Sequence, residues 1–207
     1  MSAELETTAS PGALGAEDRA RADVYALLGA LLARAPDASF LNLLRQIPVS
    51  DPSDDATMAA AWATLKQAAE RAESDALKDE YHDLFIGLGR GELVPYASWY
   101  LTGFLMEKPL AELRVDLERI GLQRQEEVRE PEDHIAALCE TMSLLIMNDA
   151  QSGMERQREF FGKHIAPWVQ RFFGDLATAP SARFYRAVGL LGERFFEVER
   201  EGFAILV

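Results

Sequence analysis

Ile135-Ala136-Ala137-Leu138-Cys139-Glu140-Thr141-Met142-Ser143-Leu144-Leu145-Ile146 is the stretch that decides the fold class. Ile135, Leu138, Cys139, Met142, Leu145 and Ile146 share one face of a helix, whereas a strand would scatter them over both faces. Just upstream, Pro131 followed by Glu132 and Asp133 reads as a first helical turn, so the longest helix is expected to open at Pro131. The same period returns elsewhere. Val24, Leu27, Leu28, Leu31 and Leu32 keep it, as do Leu77, Tyr81, Leu84, Phe85 and Leu88. So do Leu110, Leu113, Leu117 and Ile120 after Pro109, and Phe184, Val188, Leu191 and Phe195. Shorter patterns cover 37–47, 56–72 and about 155–178, the last interrupted near Pro167. No alternating run exceeds three or four residues, and no segment repeats. The expected architecture is all-α, a single helical domain of about eight to ten helices around one core.

One break divides this pattern. Gly87, Gly89 and Gly91 stop the helix expected over 74–88, and Pro95 disfavours the helical region at Val94. Residues 86–98 therefore read as a hinge joining two unequal parts, with a short helix starting at Ser98. Residues 1–17 lack periodicity and read as a disordered lead-in to a helical domain over 18–207.

The chain has 207 residues, 48% hydrophobic and 27% charged, which suits a soluble domain with a sizeable core. Thirty-four acids against 21 bases leave a net charge of −13, which disfavours nucleic acid and anionic membranes but suits a cationic partner. A single cysteine, Cys139, rules out an internal disulfide and fits a cytoplasmic, reducing compartment. No apolar run is long enough for a membrane span, and the N-terminus lacks the basic region of a secretory signal.

Catalytic chemistry has no visible carrier. His82, His134 and His164 sit in no H-E-x-x-H motif, no serine lies in a G-x-S-x-G elbow, and Cys139 falls on an apolar helix face. Neither a cofactor nor a metal is expected. The glycines at 87, 89 and 91 follow a helix rather than a strand and precede Glu92, unlike a phosphate-binding loop. Two segments are less easily assigned to core or loop. One carries the aromatics Tyr81, Phe85, Tyr96, Trp99 and Tyr100 in or beside the break, a composition suited to recognition. The other, Glu130-Pro131-Glu132-Asp133-His134, places two carboxylates and a histidine at a helix start; His134 is expected neutral near pH 7 and bonded to a nearby acid.

At these segments the sequence resembles the TorD/DmsD family of redox-enzyme maturation chaperones, a relative of the NarJ group. The family pattern E-Y-x-x-L-F-x-G is met by Glu80, Tyr81, Leu84, Phe85 and Gly87, and P-x-x-S-x-Y by Pro95, Ser98 and Tyr100. The pattern E-P-x-D-H with a later Glu is met by Glu130, Pro131, Asp133, His134 and Glu140, and H-x-x-P-W by His164, Pro167 and Trp168. Tyr96-Ala97 stands where some branches carry an aromatic–Gly pair. The resemblance implies a cytoplasmic, non-enzymatic chaperone. Its expected partners are the twin-arginine signal peptide and the folded or partly folded body of a molybdopterin-containing oxidoreductase, whose cofactor insertion it assists before export. By the same resemblance Leu84, Phe85, Pro95, Ser98, Tyr100, Asp133, His134 and Glu140 line or support the client site, with Tyr81, Tyr96 and Trp99 beside them. A monomer or a hinge-swapped homodimer fits this reading. Two others stay open: a helical metal-dependent hydrolase using His82, His134 and nearby acids, and a helical structural or dimerising subunit.

Overall fold

In the computed structural model, residues 14–49, 58–124, 129–148 and 153–205 are described. Among them ten α-helices follow the apolar periodicity: α1 (Ala16–Ala33), α2 (Ala38–Gln46), α3 (Met58–Arg71), α4 (Ser74–Tyr81) and α5 (Ala97–Thr102), then α6 (Lys108–Arg119), α7 (Ile135–Asn148), α8 (Gly153–Phe160), α9 (Val169–Thr178) and α10 (Phe184–Ile205). Two of these run on into a π-helical turn, α4 into His82–Ile86 and α8 into Phe161–Ile165. The all-α expectation is met.

The local starts differ from the expected ones in ways that have causes. α1 opens at Ala16, inside the stretch expected to be disordered, because Glu17 and Asp18 place negative charge on its first turn. Residues 1–13 lie outside the described residues, as do Asp54 and Asp55, either of which could cap the helix expected over 56–72. α7 opens at Ile135 rather than Pro131, and the longest helix is α10, not α7. Pro131 instead anchors a turn whose carbonyl accepts the His134 N–H at 3.1 Å.

One apolar cluster takes residues from both sides of the 86–98 break, among them Leu28, Leu84, Ile135, Met142, Phe172 and Val188. Each such burial is worth about 1.5–3 kcal/mol. α1 packs along α7, and α10 packs against α9 and α3. The α9–α10 contact needs Gly192: a Cβ there would fall 2.1 Å from the Phe173 ring. No helix among the described residues is long and apolar enough to cross a membrane.

Candidate functional site

The two segments singled out in the sequence meet. Ile135 N–H donates to the Pro95 carbonyl at 2.9 Å and Ala97 N–H to the Asp133 carbonyl at 3.0 Å, which pairs Tyr96 with His134 as an isolated antiparallel bridge. The Asp133 side chain, 1% exposed, extends the junction. Its Oδ2 accepts the Ser98 N–H at 2.9 Å and also the Ser98 hydroxyl. The short helix thus starts one residue before the expected Ser98, which is the second residue of α5 and is capped from 35 positions away. Asp133 Oδ1 is buried with no hydrogen-bond partner among the described residues.

The bridge sets the rim of a cavity of about 480 Å³ between α1 and α7. Small residues of α1 (Ala26, Gly29, Ala30 and Ala33) form one wall, and Ala137, Ser143 and Leu144 of α7 form the other. Tyr81, Glu130, His134 and Glu140 bring polar groups to it, with Arg34 at the end of α1. The Tyr81 hydroxyl donates a hydrogen bond to the Leu32 carbonyl at 3.1 Å, while the Tyr96 hydroxyl donates to Glu130. The Tyr96 ring meets the His134 ring edge-on at 5.0 Å.

His134 Nδ1 accepts the Ala136 N–H at 3.1 Å, so the neutral ring carries its proton on Nε2 and caps α7. Burial pushes its pKa down to about 4, against the opposing pull of Glu130 and Asp133. The neutral histidine expected from sequence is therefore present, but its bonded partner is a backbone amide rather than an acid. Tyr81 is pushed up to about 12 by burial and by the Glu130 charge. Tyr96 is raised further, by burial first and then by its bond to Glu130.

Of the other candidate residues, Pro95, Ser98 and Asp133 are buried behind the rim and hold its geometry. Leu84 is core. Phe85 does not line the cavity; it backs Tyr81, with ring centroids 4.9 Å apart, and Tyr185, at 5.4 Å. Trp99 lies under the Arg90 guanidinium at 5.0 Å. Tyr100 turns to α9, donating to Asp175 at 3.0 Å and packing on Trp168 and Phe172. Neither Trp99 nor Tyr100 lines the cavity. His82 is exposed, and His164 bonds Asp116 at 2.8 Å on another face. Burial raises the pKa of the Cys139 thiol. The α1 wall was missed in sequence; its signal was the spacing of Ala26, Gly29, Ala30 and Ala33 beside the leucine stripe.

Comparison with known proteins gives concordant results. A family model described as nitrate reductase delta subunit matches residues 51–174. A chaperone protein TorD of Aliivibrio fischeri is 29% identical over 164 residues, covering 74% of this chain and 75% of that protein. The TorD chaperone of Vibrio atlanticus is 24% identical over 200 residues, 87% of this chain and 93% of its own. A crystal structure of a proposed redox enzyme maturation protein from Archaeoglobus fulgidus superposes with a TM-score of 0.55 at 18% identity, covering 91% of this chain and 98% of that one. That likeness is one of fold.

Proposed function

This chain belongs to the nitrate reductase delta subunit family, and from that membership we propose that it is a cytoplasmic maturation chaperone without chemistry of its own, which binds the twin-arginine signal peptide of a molybdopterin-containing oxidoreductase and assists cofactor insertion before export. Its relatives in Aliivibrio fischeri and Vibrio atlanticus are named chaperones. The observation that carries the reading is the pairing of two carboxylates, Glu130 and Glu140, with an apolar cavity walled by the small residues of α1 and by Leu144. A twin-arginine leader offers the complement, a cationic end followed by an apolar, helix-prone segment. The carboxylates take the guanidinium groups and steer the encounter, while the Ala26–Ala33 wall lets the apolar helix approach closely. His134, held neutral, adds no repulsive charge. Asp133 and Ser98 act at one remove, fixing the rim.

Isothermal titration with signal peptides encoded beside molybdoenzyme genes tests this directly. The wild-type chain binds at least one of them, and Glu130→Gln with Glu140→Gln weakens that binding tenfold or more and flattens its dependence on salt. A folded protein that binds none of them, or a double variant that binds as well as wild type, refutes the assignment.

A further inference from the structure

A second groove, of about 450 Å³, runs between α3, α4 and α10. Adjacent residues assign to the two cavities: Tyr81 lines the one described above and Glu80 this one, so the end of α4 separates them. Arg71, Arg183 and Arg186 line the groove and are exposed. None of the three side chains makes an ion pair or hydrogen bond among the described residues, although the chain carries 34 acids against 21 bases. The lining also holds two carboxylates, Glu73 and Glu80, so the three guanidinium groups leave it one positive charge in excess. Glu80 accepts the backbone N–H groups of Arg183 at 2.8 Å, Phe184 at 3.2 Å and Tyr185 at 2.8 Å, leaving Glu73 as the remaining acid of the lining.

The floor has the opposite character. Ala68, Ala72 and Ala187 are short, and Leu190 is 38% exposed, so an incoming backbone can seat closely against apolar surface. The α3 wall runs from Thr64 to Arg71 and the α10 wall from Arg183 to Leu190, each about 10 Å, or two helical turns. Guanidinium forks match the geometry of carboxylate and phosphate groups, and arginine is enriched where proteins dock. A compact inorganic anion would satisfy the arginines and leave the apolar floor uncovered.

We propose that this groove is a second docking site, which takes an acidic amphipathic helical segment of a partner protein, carboxylates toward the three arginines and aliphatic side chains toward the alanine floor. A chaperone so built presents an anionic cavity to a cationic leader and a cationic groove to an acidic partner segment on the two sides of α4.

The probe is a labelled 14-residue helix-forming peptide with glutamates along one edge and leucines along the other, followed by fluorescence anisotropy on the full chain. It binds at low salt, and raising the salt tenfold weakens it at least tenfold. The variant R71Q/R183Q/R186Q, altered only at exposed side chains and checked for an unchanged thermal melt, loses at least tenfold. Leu190→Ala loses several-fold, and E130Q/E140Q leaves binding intact, which separates this site from the signal-peptide cavity. Absent binding, equal binding of a peptide with lysine for glutamate, or an unaffected triple variant overturns the proposal. Equal binding of a peptide with serine for leucine, displaced by tripolyphosphate, overturns it in favour of a small-anion site. A dimer that forms without peptide and disappears in the triple variant overturns it in favour of a second copy of this chain.

Discussion

His134 shows how a single side chain can serve two elements. Its backbone belongs to the bridge with Tyr96, and its Nδ1 takes the Ala136 N–H that α7 would otherwise leave open. The cap requires the neutral ring, and burial supplies it by lowering the pKa to about 4 from an ordinary value of 6.5. The unfolded chain therefore binds the proton more readily between those values, so stability is fully present above about pH 6.5 and declines as pH falls toward 4. The full loss is about 3 kcal/mol. Urea unfolding at pH 7.5 and pH 4.5 should show that decline in the wild-type chain and much less of it in His134→Asn, where a side-chain amide keeps an acceptor but does not titrate. An equal decline in both proteins would assign the acid sensitivity to another group.

At the scale of elements, the least visible interactions are caps that come from far along the chain. Glu80 closes the start of α10 from more than a hundred residues away, and Asp133 closes α5 from 35 away. Replacing Glu80 by Ala leaves the N–H of Arg183 and the first two N–H groups of α10 without that acceptor, and the cost is about 1–3 kcal/mol. Hydrogen exchange should locate the loss in the first turn of α10, with Glu80→Gln recovering part of it; protection unchanged at Phe184 and Tyr185 would refute the cap. Such contacts explain which features could be read in advance. The leucine and phenylalanine spacing revealed nearly every helix, because burial of one face is a local pattern. The start of α7 was misread because the signal at Pro131 is also local, whereas Asp133 and His134 are drawn into pairing with 95–97 by contacts no window contains. The π-helical turns at His82–Ile86 and Phe161–Ile165 were equally hidden, since one extra residue per ring leaves the apolar spacing almost unchanged. The cavity was half legible: Tyr81, His134 and Glu140 stood out as chemistry, while the alanines of α1 carried none.

For the molecule as a whole, α1 is the element on which core and cavity both depend, and its other end is held by charge. Glu199, 4% exposed, accepts Arg21 Nε at 2.7 Å, Arg21 Nη2 at 2.9 Å and the Tyr25 hydroxyl at 3.0 Å. Arg21 also reaches Asp18 at 3.0 Å and Gln157 at 3.2 Å, so the cluster ties α1 to α8 and α10. Forming such a pair costs desolvation on both sides, and its net contribution is small; removing Glu199 leaves a largely buried guanidinium with only Asp18 and Gln157 of its partners, and the Tyr25 hydroxyl without its acceptor. Glu199→Ala should therefore cost about 1–3 kcal/mol, while Arg21→Met with Glu199→Leu recovers part of that by exchanging charge for apolar contact. Urea unfolding separates the two cases. A double variant no more stable than the single one would mean that the cluster acts through its specific bonds rather than through the penalty of an under-paired charge. A second outcome bears on the fold: because one core spans both sides of the 86–98 break, each variant should still unfold in a single transition, and a split transition would show that the two parts are held together chiefly by this cluster.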